Sequence, residues 1–244
     1  MVRIAAALAL VALAACSGDT PVVANRPEPF VYLVLNQRTP SVYGSLTQPR
    51  QHALLTVTGS PLESPGYLRA DEFRMTRAAD GARFAWSSYP RLSGEPGTVS
   101  RLALDAANYL LADSAGDAGL GAADLRALTA YDLYLATPGG VVRGRTSIPA
   151  TFRLRLVEEG GRRTAYWPRV RGAAGYRVSL PEGDSRIQTD TSAVLGGDAG
   201  LLTVQALDPN LYGYVAGEPV ARSGIEGGFG VFGSLTTAAV RIGG

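Results

Sequence analysis

Lysine is absent from this 244-residue chain, and cysteine and histidine occur once each, as Cys16 and His52. One cysteine excludes any disulfide within the chain. One histidine leaves a single way to assemble a Ser-His-Asp or Cys-His arrangement, and His52 sits beside the apolar stretch Ala53 to Val57, where it reads as a polar strand-end residue rather than a general base. A zinc centre would lack its usual His and Cys ligands, so neither a metal nor another cofactor is expected. All 23 basic residues are arginines against 21 acidic ones, a net charge of +2. Arginine in place of lysine, together with abundant alanine, fits the coding bias of a GC-rich genome. No arginine run of five or more occurs, so the basic footprint of a nucleic-acid-binding protein is missing.

Long apolar runs are lacking too. The longest is N-terminal: Met1-Val2-Arg3, then apolar residues from Ile4 to Leu13, then Ala14-Ala15-Cys16. At about 12 residues this stretch falls short of the ~20 that a bilayer-spanning helix needs, and it has the charged, apolar and small-residue zones of an export signal. Leu13-Ala14-Ala15-Cys16 resembles the lipobox of bacterial lipoproteins. The resemblance implies cleavage before Cys16 and lipidation of its sulfur, which would hold the protein to a membrane; the alternative is a plain signal cut after Ala15. Ser17 stands where an Asp would favour retention in the inner membrane, so the outer membrane is the expected destination. Residues 16–28, with Gly18, Pro21 and Pro27, read as a short tether ending before Pro29.

The whole chain has 46% hydrophobic and 18% charged residues, ordinary for a folded protein. Its apolar runs have strand length: Phe30 to Leu35, Ala53 to Val57, Phe73 to Met75 and Arg83 to Trp86. Asp80-Gly81 is a turn signal, which makes Ala70 to Ser87 a β-hairpin. Helix is expected only as a turn or two within Ala122 to Thr129. Ala130 to Ala136 and Val141 to Thr146 form a second hairpin around Pro138-Gly139-Gly140, and Ile148-Pro149 closes the first half. Phe152 to Val157 and Thr164 to Trp167 flank the turn Glu159-Gly160-Gly161, with further strands at Thr191 to Leu195 and Leu201 to Leu207.

The segment from Trp167-Pro168 through Gly172-Ala173-Ala174-Gly175 to Tyr176-Arg177-Val178 resembles the second-to-third strand region of a fibronectin type III domain, where Trp and Tyr fill a thin sandwich core. Leu207-Asp208-Pro209-Asn210-Leu211-Tyr212-Gly213-Tyr214 and the later Gly227-Gly228-Phe229-Gly230-Val231-Phe232-Gly233-Ser234, with the stretch Tyr131 to Pro149, resemble a family of uncharacterised bacterial lipoproteins carrying a domain of unknown function. That resemblance implies two β-domains behind a lipobox, often encoded near TonB-dependent outer-membrane receptors. The glycine-rich ending is not a phosphate loop, because no Gly-Lys-Ser/Thr ending or following helix accompanies it; its glycines allow close packing while Phe229, Val231 and Phe232 fill core pockets.

The expected architecture is therefore all-β: a signal at 1–15, lipidated Cys16 and tether at 16–28, and two consecutive antiparallel β-sandwich domains at 29–149 and 150–244. The aspartates Asp113, Asp117 and Asp124, and separately Asp184, Asp190 and Asp198, read as solvated turn residues, since neither set has the spacing of a calcium loop. Tyr212 and Tyr214, of the same strand parity, are the candidate binding surface, because tyrosine combines contact area with a hydroxyl. The expected function is non-enzymatic binding or accessory work in the cell envelope, with an outer-membrane receptor or envelope polymer as partner. A carboxylate-dependent hydrolase and a purely structural envelope protein are the alternatives.

Overall fold

The structure, a computed structural model, describes residues 29–38, 54–58, 71–88, 107–111, 119–196, 199–217 and 222–243. Leu13, Ala14, Ala15, Cys16, His52, Asp113, Asp117 and Asp198 lie outside the described residues. The strands in chain order are β1 (Phe30–Arg38), β2 (Leu54–Thr58), β3 (Glu72–Arg77), β4 (Trp86–Ser88), β5 (Ala107–Leu111), β6 (Ala130–Thr137), β7 (Gly140–Ser147) and β8 (Arg155–Glu159). They continue as β9 (Arg162–Tyr166), β10 (Gly175–Ser179), β11 (Ser185–Gln188), β12 (Ser192–Leu195), β13 (Gly200–Leu207), β14 (Arg222–Ser223), β15 (Ile225–Glu226) and β16 (Phe229–Ile242). A single α-helix among the described residues, α1 (Pro209–Ala216), lies between β13 and β14.

The chain is an all-β sandwich protein. One large sheet runs in the order β11-β10-β13-β16-β1-β2-β5-β4, and two small sheets, β15-β7-β6-β3 and β12-β9-β8, provide the opposing layers. Strand alternation explains the layering. In β6, Tyr131, Leu133 and Leu135 are buried while Asp132 and Tyr134 face outward, as the twofold period of a pleated strand dictates.

The 14-residue β16 organises everything else. Its even-numbered residues share one face. Phe232 belongs to the core beneath the β15-β7-β6-β3 sheet, with Val31, Leu33, Met75 and Leu135. Ala238 and Ile242 belong to the core beneath the β12-β9-β8 sheet, with Trp167, Tyr176, Val178 and Val204. Between these two oily patches lie the fully buried Ser234 and Thr236. Ser234 Oγ donates to the carbonyl of Ser147 at 2.9 Å, and Thr236 Oγ1 donates to that of Ala150 at 2.9 Å, so the linker between the halves is fixed to the middle of β16. On the opposite face Val231 and Leu235 pack under α1 with Leu207 and Leu211.

A division at residue 149/150 consequently separates the chain in sequence and not in hydrogen bonding. β16 pairs with β1 in parallel, from Phe30↔Phe229 to Arg38↔Thr237, and with β13 antiparallel, from Gly200↔Ile242 to Leu207↔Leu235. β15 adds to the edge of β7. The second half thus lends its tail to the first sandwich.

Three local expectations are changed by tertiary context. The hairpin drawn over Ala70 to Ser87 keeps its turn, with Arg77 bonded to Asp80 and the Phe84 amide to the Met75 carbonyl, but it ends there; Trp86–Ser88 crosses to the large sheet and pairs with β5. The predicted turns of helix in Ala122 to Thr129 reduce to a 3-10 turn at Ala122–Asp124. Tyr212 and Tyr214 lie on a helix, not a strand, and so do not share a face.

Gly233 lies where the backbone of α1 passes close over β16: a Cβ there would stand 2.8 Å from Leu211 Cβ and 3.0 Å from the Leu211 amide nitrogen. Gly233→Ala should therefore destabilise the fold by about 1–3 kcal/mol through overpacking. A urea titration checks this, with a lowered midpoint expected and an unchanged or raised midpoint contradicting the close approach.

A candidate binding groove on the outer sheet face

Asp208 is 1% exposed and ends the ladder between β13 and β16. Its side chain caps α1 by accepting the Leu211 amide at 2.9 Å, with Pro209 occupying the first helical position. The same oxygen accepts the Ser234 amide at 2.9 Å, and the other oxygen accepts the Thr146 hydroxyl at 2.7 Å. Thr146 also lies 3.0 Å from Ser234 Oγ. One carboxylate thereby joins the helix, the spine strand and β7.

Asn210, two residues on, repeats the tie from the helix side. Its Nδ2 donates to the carbonyl of Arg145 at 2.7 Å and to that of Phe232 at 3.0 Å, while Ser223 Oγ donates to the Asn210 carbonyl. The Arg145 amide donates to the carbonyl of Gly224 at 3.1 Å. β7 and the β14–β15 turn are thus tied on their inner side by hydrogen bonds to α1 and to each other.

The outer side of the same strands carries a different chemistry. Cross-strand register aligns Arg74, Tyr134 and Arg143 in one row, with Glu226 beyond Arg143 on β15. The guanidinium of Arg74 lies 4.6 Å from the centre of the Tyr134 ring and that of Arg143 lies 5.5 Å from it, both within cation–π range. Arg74 is also 3.0 Å from Glu72. In the next row Arg145 stands 3.5 Å from Asp132, an open pair with side-chain exposures of 67% and 44% that contributes little to stability. Among the described residues Arg143 has no carboxylate partner. A groove of about 470 Å³ opens here, lined by Asp132, Arg143, Gly144, Arg145, Gly224 and Glu226, with Ile225 beneath.

Tyr212 and Tyr214 fall elsewhere. Tyr212 is half-buried against the small core under α1, and Tyr214 meets Tyr32 of β1 edge-to-face at 6.2 Å, with Tyr32 40% exposed. Burial pushes the Tyr214 hydroxyl pKa up, with the neighbouring Tyr32 adding to the rise. The described aspartates do not converge. Asp124 accepts the Gly121 amide across the 3-10 turn, Asp184 precedes β11, and Asp190 follows it in a second depression with Arg169 and Thr191. Among the described residues no three His, Cys, Asp or Glu side chains form a metal-binding group, and no helix is long and apolar enough to cross a membrane.

Burial raises the Asp208 pKa from its ordinary value of 3.8, and its hydrogen bonds only partly oppose this. The folded state therefore holds its proton to higher pH than the unfolded chain, so the contribution to stability is fullest below 3.8 and is lost as pH rises through the folded value. Asp208→Asn should remove this slope while keeping most of the bonds, because the amide oxygen can accept from Leu211 and Ser234 and the Thr146 hydroxyl can turn to accept the amide N–H. Asp208→Ala strands the buried Leu211 and Ser234 amides and should cost about 2–5 kcal/mol. Unfolding midpoints of the three proteins between acid and neutral pH test both statements; identical pH profiles for wild type and Asp208→Asn would count against the first.

Set against known proteins, the chain matches no family model and no curated sequence.

Proposed function

We propose that this chain is a lipid-anchored, non-enzymatic binding module of the bacterial envelope, tethered through Cys16 and working as an accessory to an outer-membrane receptor or envelope polymer. The observation that carries the reading is the Arg143 groove. Its walls are exposed charged side chains on a sheet face, β7 is tied from within by Asp208 through the Thr146 hydroxyl and by Asn210, and Arg143 lies beside an aromatic ring and forms no ion pair with the described carboxylates. A preorganised, unpaired guanidinium on a rigid element is suited to recognising a partner, since little ordering entropy opposes binding.

The second half fits the fibronectin type III-like reading in its strand order. β12-β9-β8 faces β11-β10-β13-β16, and Trp167 at the end of β9 lies edge-to-face with Tyr176 of β10 at 5.5 Å. Sandwiches of this kind present ligands to rigid sheet faces and loops, and assigning a partner class to the fold is analogy, so the groove and not the fold bears the weight. The proposed sorting to the outer membrane rests on Ser17 following Cys16.

Membrane fractionation of wild type and Cys16→Ser, followed by capture from gently solubilised envelopes, tests the proposal. Wild type should pellet with membranes and the variant should be soluble, because stable attachment needs the acyl chains. Wild type should also retain an envelope component that washes away when Arg143 is replaced by Gln. Equal solubility of the two forms would overturn the anchor, and the absence of any retained component would overturn the binding role.

A further inference from the structure

Resting on the reading of the Arg143 groove as a binding site, we propose that its ligand is an acidic saccharide, held by a sugar carboxylate on Arg143 with ring hydroxyls donating to Asp132 and Glu226. Arg143 supplies the reason for a carboxylate. Its guanidinium lies 5.5 Å from the centre of the Tyr134 ring and lines the groove, and a planar fork of donors matches the two oxygens of a carboxylate. Arg74 on the other side of that ring is engaged by Glu72 and holds Tyr134 in place.

The balance of charge argues against a polyanion. Two arginines and two carboxylates line the groove, so its net charge is zero although Arg143 itself forms no ion pair, and it accommodates one negative group accompanied by hydrogen-bond donors. Hydroxyls on a sugar ring are such donors. Asp132 is free to accept them at little cost, because its pairing with Arg145 is open to water. Arg143 and Arg145, two residues apart on one strand face, are separated by about 7 Å along β7, room for a single sugar ring. Between them the floor is main chain at Gly144, with Gly224 beside it, which lets a polar ring lie close. A peptide would find little apolar anchorage, since Ile225, the one large apolar lining residue, is 7% exposed.

The test uses the full-length mature protein against immobilised trisaccharides of galacturonic acid, of neutral galactose and of sulfated galactose, with a free tripeptide as competitor. Binding should be to the galacturonate, at least 10-fold over the neutral sugar. Arg143→Gln should weaken it at least 10-fold and Arg143→Lys by several-fold, since a lysine keeps the charge and loses the fork. An unchanged unfolding midpoint for both variants shows that the exposed substitution leaves the fold intact. Equal binding of acidic and neutral sugars, tighter binding of the sulfated sugar, displacement by the tripeptide, or wild-type affinity in Arg143→Gln would each overturn the inference. Failure here, with an envelope protein still captured by the lipidated chain, leaves the binding-module reading standing and removes only the saccharide.

Discussion

A carboxylate buried to 1% exposure is an expensive group, and the fold is arranged around Asp208 to satisfy it. The position explains the choice of residue. Past Leu207 the β13 edge leaves β16, and the freed amide of Ser234, the first amides of α1 and the Thr146 hydroxyl all point into one gap. Three donors from three elements meet one carboxyl group, whose two oxygens offer several lone pairs. A hydrophobic side chain would fill the gap and leave every donor stranded. The residue is thus a structural acceptor, and its perturbed ionisation follows from burial rather than from any reacting partner.

From that junction the coupling of the two sandwiches follows. β16 is about 45 Å long at the rise of an extended strand, enough to pass beneath both small sheets. Its inward row changes from Phe232 through Ser234 and Thr236 to Ala238 and Ile242. The two hydroxyls interrupt the apolar row and bond the carbonyls of Ser147, the last residue of β7, and Ala150, so the chain is tied to the shared strand where it passes from one sandwich to the other. Unfolding of either sandwich must strip one edge of β16, which makes the halves energetically interdependent despite their separate cores.

What local sequence can reveal is visible in the outcome. Tyr131 to Ala136 and Val141 to Thr146 alternate cleanly and form the hairpin that the Pro-Gly-Gly turn announces. The outward row of that hairpin, with Asp132, Tyr134, Arg143 and Arg145, was legible as a polar face but not as a site, because the third wall comes from β15, some 80 residues further on. α1 had its own start signal in Asp208-Pro209, a cap followed by proline at the first helical position. Two tyrosines and Gly213, poor helix formers, masked it. The helix forms because Leu211 and Val215 cover Val231 and Leu235, a tertiary reward that propensity does not register. The glycine-rich tail packs closely, as its composition suggested: Gly233 is small for the sake of a helix overhead, Val231 and Phe232 are buried, and the segment opens the longest strand among the described residues. Parallel pairing of β1 with β16 joins residues about two hundred apart and leaves no local mark.

Placement of the groove relative to the entering chain bears on the kind of partner it can meet. Pro29 accepts the Phe229 amide at 2.8 Å, and only two glycines separate Phe229 from Glu226 at the groove wall. The start of the folded body and the groove therefore lie at the same end of the first sandwich. With Cys16 lipidated as proposed, the segment 16–28 reaches at most about 45 Å when fully extended. The groove would then work within one short leash of the membrane surface, facing what is attached there rather than what diffuses beyond. On the proposed reading, an open groove would bind a single sugar weakly, and anchored copies facing a repeating polymer would multiply weak contacts into firm attachment. Weak individual sites and close confinement would then belong to one physical scheme, in which the lipid would supply concentration and the arginine selection.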